Sequence, residues 1–160
     1  MQVIVTDARR AGRINVQSVE RLARCAAQRL KIHAAGIMTV SFITDRRMRQ
    51  YNRRALGHDW VTDVLSFRYD GEPVIGEILI APSQARAYAK AHGIPYDEEL
   101  SRYVVHGLLH WKGHDDATPT QQRCMRMMED NLLSHCWRRL RAQGKRRLAQ
   151  SPQPRAQSHT

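Results

Sequence analysis

No run of apolar residues in this chain approaches the roughly 18 that a membrane-spanning helix needs, and no leader pattern opens it. Cysteine is scarce too: Cys25, Cys124 and Cys136 are odd in number and show no CxxC spacing. Together these absences lead us to expect a cytoplasmic protein with reduced thiols and no membrane partner. None of the three cysteines is assigned to a metal. Acidic side chains are in deficit, 15 against 26 Lys and Arg, for a net charge of +11 and a pI near 10.4. Such an excess points toward a polyanionic partner. Much of it is local, because Arg138 to Thr160 holds seven cations and no acid, which leaves 19 positive against 15 negative side chains elsewhere. A run of this kind suits a solvated, disordered end, and RNA contact is the sharper reading.

Neither an internal repeat nor a second domain can be discerned. A length of 160 residues with 42% hydrophobic content suffices for one domain with a real core. We expect that domain over residues 1–142 and a basic, disordered tail over 143–160. Val3 to Val5 reads as a short strand, and Val16, Val19, Leu22, Ala23, Ala26 and Leu30 recur at helical spacing. Ile37 to Ile43 is β-branched enough for a strand. Thr44 or Asp45 can cap a following helix that carries Arg46, Arg47, Arg49, Arg53, Arg54 and Tyr51. Its arginine face suits either plain solvent or backbone phosphate with a stacked base. After a loop over Leu56 to Val61, Val64 to Phe67 and Val74 to Ile80 read as strands about a turn at Asp70 to Pro73, free to pair antiparallel. Helices are expected from Pro82 to His92, from Tyr96 onward, and from a capping box at Thr118 to about Arg141. Strict βαβ alternation is missing, so the pattern implies an α+β fold: a small mixed β-sheet with packed helices.

The chemistry concentrates in Val104-Val105-His106-Gly107-Leu108-Leu109-His110-Trp111-Lys112-Gly113-His114-Asp115-Asp116. His106 and His110 are four residues apart, so a helix projects both imidazoles from one face, with Cβ atoms roughly 5–6 Å apart. That suits one zinc ion. Gly113 offers a place for the helix to stop, and the chain can then aim Asp115 or Asp116 back at the ion. Two imidazoles, a carboxylate and a water leave one open position, the pattern of a catalytic site. Iron, cobalt or nickel would suit the same donors. Metallopeptidases of this geometry read HExxH, with the Glu as general base. Here that position is Gly107, which makes a peptidase the weakest reading.

HGLLHWKGHDD resembles the HGxLHLxGYDH signature of the YbeY family, bacterial endoribonucleases of ribosomal RNA maturation. TDVLSF at Thr62 to Phe67, IGEILI at Ile75 to Ile80, and Met128 with Glu129 follow that family's order, and the likeness runs from about Val40 to Leu133. It implies an α+β fold with the metal helix beside a small sheet, and zinc held by His106, His110 and Asp116, the last standing where the family usually has histidine. His114, in place of a common tyrosine, is a rival third ligand if the helix continues through Gly113. Leu56 stands where the family frequently has arginine, so Arg53 or Arg54 becomes the candidate for holding phosphate. Asp115 is a candidate proton acceptor, or a carboxylate that orients a ligand histidine. The activity implied is zinc-dependent cleavage of single-stranded ribosomal RNA, in 16S 3′-end processing and ribosome quality control, with the ribosome or small-subunit components as partners. The rival from another class is a ribosome-associated RNA-binding protein whose metal is structural.

Overall fold

In the computed structural model the strands run β1 Gln2–Thr6, β2 Ile37–Phe42, β3 Val64–Arg68 and β4 Val74–Ile80. The helices are α1 Val16–Arg29, α2 Asp45–Leu56, α3 Pro82–His92, α4 Tyr96–Lys112 and α5 Pro119–Leu132. The structure describes residues 1–142 apart from Arg13, Glu72, Arg139 and Leu140, so the tail expected over 143–160 lies outside the described residues. The four strands form one sheet in the order β1-β2-β4-β3. β1 pairs parallel with β2 and β2 with β4, whereas β3 runs antiparallel to β4, with Val64 opposite Ile80 and Ser66 opposite Ile78. The expected mixed sheet and α+β class are what the chain forms.

Alternation along the strands sorts side chains onto two faces. Met38, Val40 and Phe42 of β2 and Ile78 and Ile80 of β4 join the larger core with residues of α1, α4 and α5, and all five are fully buried. Leu65 and Leu79 turn the other way and meet Ile43 and Met48, so α2 closes the opposite face. α4 lies deepest: Leu100, Tyr103, Val104, Val105, Leu108, Leu109 and Trp111 are all buried. Two glycines let it lie so close to the sheet. A Cβ on Gly107 would overlap Ile78 Cγ2 and come within 3.2 Å of Val64 Cγ1, and one on Gly76 would overlap the Trp111 indole. Trp111 Nε1 instead donates to the Ile75 carbonyl at 3.1 Å.

Local signals placed most boundaries. Thr44 caps α2 by accepting from the Arg47 N–H, and Thr118 with Gln121 forms the capping box of α5. A short 3-10 turn over Ala8–Ala11 went unforeseen, and the last helix passes through a π-helical turn at Leu133–Trp137, with Arg138 and Arg141 again α-helical as expected. The wider turn buries Leu133 and Cys136. A second correction follows from it. Cys136 is bonded to Cys25 of α1, the two Cα atoms standing 5.8 Å apart as a bridge requires, so three reduced thiols are not what the fold presents. With the pair 111 positions apart in sequence, spacing carried no hint of it. Among the described residues, no helix is long and apolar enough to cross a membrane.

Candidate metal centre

His106 and His110 leave α4 at the half-buried edge of its packed face, next to the helix end. Gly113 takes φ 105°, and the N–H groups of Gly113 and His114 bond back to the carbonyls of His110 and Leu109 at 2.9 and 3.0 Å, a Schellman stop. The chain therefore turns at once. His114 does not continue the helix, the condition under which its imidazole would have followed His110, and its side chain is exposed. Asp115 accepts the N–H of Asp116 at 2.8 Å and so shapes the turn. Asp116 comes back over the two imidazoles.

The three expected ligand residues meet: one donor atom from each of His106, His110 and Asp116 falls within a 4.8 Å group, able to hold a metal ion. The Nε2 atoms of the histidines are 2.9 Å apart, and the Asp116 oxygens stand 3.6 Å from His106 Nε2 and 3.7 Å from His110 Nε2. Bonds of 2.0–2.2 Å in a tetrahedral site place ligand atoms about 3.3 Å from one another, so the donor set fits one ion of zinc size. The other ring nitrogens are committed. His110 Nδ1 faces the His114 carbonyl at 3.0 Å, and His106 Nδ1 faces the Glu129 carboxylate at 2.7 Å. A carbonyl and an ionised carboxylate only accept, so both Nδ1 atoms carry hydrogen and neutral rings would aim two Nε2 lone pairs at each other. A cation between them, whether a proton or a metal ion, resolves that repulsion.

Glu129 is the partner that residue spacing missed. It sits at 4% exposure on the inner face of α5, in register with buried Met125 and Leu132. A carboxylate in an apolar stripe was the available signal. Burial favours its neutral form, but hydrogen bonds from His106 and Arg102 outweigh that and hold its carboxyl below the usual range. Burial likewise opposes charge on His106, and the Glu129 bond overrides it, lifting that imidazole above its ordinary value. Arg102, one helical turn before His106 on the same face, reaches Glu129 at 3.0 Å and Asp130 at 2.8 Å. Beyond it Glu99, 2% exposed, has its carboxyl pushed up by burial. These groups, with Asp63, Tyr103 and Arg126, line a cavity of ≈ 150 Å³ behind His106.

The TDVLSF block joins the same centre. Ser66 on β3 donates to the Gly107 carbonyl at 2.9 Å, tying the strand to the helix that carries both histidines, and Asp63 caps the Val64 N–H at 2.8 Å. Gly107 itself faces the core, so the position that would hold a peptidase Glu is pressed onto β4. The structure does not gather Arg53 and Arg54 with the ligands. Both are exposed on α2, Arg53 lining a separate cleft of ≈ 520 Å³ with Arg46, Arg49 and Asp59.

A family model described as endoribonuclease YbeY matches residues 5–136. The chain belongs to the endoribonuclease YbeY family. An endoribonuclease role, with RNA as its partner, follows from that membership. Among its relatives, endoribonuclease YbeY of Phocaeicola vulgatus is 31% identical over 72% of this chain and 81% of its own. That of Geobacillus kaustophilus is 32% identical over 74% and 85%. The solution structure of a Thermotoga maritima protein superimposes with a TM-score of 0.57 at 21% identity over 99% of both chains, a likeness of fold.

Proposed function

We propose that this YbeY-family chain is a zinc-dependent endoribonuclease that cuts single-stranded ribosomal RNA in the cytoplasm, in 16S 3′-end processing and ribosome quality control, with the small ribosomal subunit as its setting. One domain over residues 1–142 carries the activity. The observation behind the metal is the pair of facing Nε2 atoms 2.9 Å apart, each ring held by its Nδ1. The choice of zinc rests on the two imidazoles and one carboxylate, and the choice of RNA on the family and the basic charge.

His106, His110 and Asp116 would hold the ion. Zinc bound there supplies a Lewis acid and a water whose pKa approaches about 7. The chain's own groups do the positioning. Glu129 keeps the His106 tautomer and ring plane, Arg102 keeps Glu129 ionised and aimed, and the His114 carbonyl does for His110 what Glu129 does for His106. Asp115, turned toward the Asp116 N–H, serves the loop that carries the third ligand. Arg53 and Arg54 would hold RNA backbone away from the reacting bond.

The structural-metal alternative requires the fold to depend on the ion, yet α4 is anchored by seven buried side chains independent of it. The test is metal content, circular dichroism and cleavage of a ribosomal RNA fragment for wild type, His110→Ala and Asp116→Ala. Near-stoichiometric zinc in wild type, lost in both variants along with cleavage while the fold persists, is the expected result. A wild type that binds no metal, or that unfolds on chelation, overturns the proposal.

A further inference from the structure

We propose that Trp60, backed by His58, is a stacking platform for one base of single-stranded RNA, seated beside the arginine cleft of α2. The inference rests on RNA being the substrate and adds the element that selects unpaired strands. Trp60 is 57% exposed, an unusual position for the largest side chain. Its ring is stacked on His58, with centroids 4.3 Å apart and planes 13° from parallel.

Lone exposed hydrophobic residues are common and need no function. Here three anchors hold the loop that presents the ring. The Asp59 carboxylate takes two bonds from Arg49, at 2.9 and 2.8 Å, and lies 3.9 Å from Arg53. Asn52, 1% exposed, donates to the Trp60 carbonyl at 3.0 Å, and Val61 packs against the core under α2. The ordering entropy of the platform is thus met by the fold rather than by the ligand. Asp59 and Val61, on either side of Trp60 in the chain, also line the ≈ 520 Å³ cleft with Arg46, Arg49 and Arg53. The two chain neighbours of Trp60 thus line a cleft that offers Arg46 and Arg53 to phosphate, Arg49 being held by Asp59. The same short loop presents a π face for a base, and these are the two elements single-strand binding uses. The same loop leads to the ligands, since Asp63 lines the cavity behind His106 and three residues of chain span at most about 11 Å. Bases in a duplex are stacked on their neighbours and cannot reach such a ring, which gives the platform its selectivity.

The test compares full-length zinc-loaded wild type, Trp60→Ala and Trp60→Phe. Anisotropy is measured with a short labelled oligoribonucleotide and with the same strand carrying abasic residues, and kcat and KM are measured on a cleavable strand. Trp60→Ala is expected to bind the base-bearing strand about 5- to 100-fold more weakly. KM should rise in step, kcat should hold within about twofold, Phe should restore most of the loss, and the abasic strand should bind all three proteins equally. Equal binding of the base-bearing strand by wild type and Trp60→Ala, or an equal loss on both strands, overturns the platform. A wild type that cuts no RNA sinks the functional reading instead, and the binding comparison still decides this one.

Discussion

α4 and α2 pack on opposite faces of one sheet and could hardly differ more. α4 buries nine of its 17 residues, including Gly107 against Ile78, and leaves the His106–His110 edge half-buried. α2 buries only Met48 and Asn52 and turns arginines outward. A metal centre needs donor atoms fixed to about half an ångström, which for the two histidines a helix locked into the core supplies. Holding a polyanion needs charge and reach, and long side chains on an exposed helix supply both. The tighter a function's geometry, the deeper the fold has set its residues.

The contrast predicts that damage on α4 is severe and damage on α2 is graded. His110→Ala is expected to empty the metal site and drop RNA cleavage to background, with circular dichroism unchanged because the side chain packs no core; retained metal at wild-type occupancy would refute the ligand assignment. Next in size is Glu129→Gln. Loss of the carboxylate behind His106 should lower metal affinity or cleavage by about 10- to 100-fold, read by competition with a chelator. The same carboxyl gives a pH signature. Its pKa is held below the unfolded value, so the stability it adds is full above about pH 4.3 and fades as pH falls through the lower folded value. Acid titrations of metal-free wild type and Glu129→Gln should therefore converge at low pH, and parallel curves would remove Glu129 from the account.

How much of this was legible beforehand follows the same division. His106, His110 and Gly113 are close in sequence, so helical spacing and a glycine stop sufficed to foresee a histidine pair with Asp115 or Asp116 turned back on it, and the family resemblance chose Asp116. The sheet's parallel and antiparallel mix followed from element order and the turn at Asp70 to Pro73. Long-range partners were not legible: Glu129 lies 23 residues from His106, Ser66 41 residues from Gly107, and Cys136 111 from Cys25. Nothing in local periodicity reports which helix a side chain will face across a core. Trp60 was hidden differently, because a loop residue has no period, and its exposure depends on the Asn52 and Arg49 anchors that α2 brings up.

Packing comes third. Gly107→Ala is expected to cost about 1–3 kcal/mol through overlap with Ile78, seen as a fall in Tm of about 2–10 °C. The helix would have to lift from β4 and carry the ligand edge with it, so metal affinity should fall as well. An unchanged Tm would mean that α4 is not seated as closely as its glycine implies.

The smallest effect belongs to α2 and separates charge from stacking. Phosphate contacts release counterions, so each lost contact on a single strand should flatten the slope of log affinity against log salt by about 0.7. Arg53→Ala with Arg54→Ala should accordingly reduce the slope by about 1.4 while kcat and Tm stay near wild type, since both side chains are exposed and stand apart from the ligand group. Trp60→Ala should weaken binding at every salt concentration and leave the slope alone, because a stacked base releases no ion. If the double arginine variant kept the full slope, the RNA backbone would run elsewhere on this basic surface, and Trp60 would have to act without the cleft beside it.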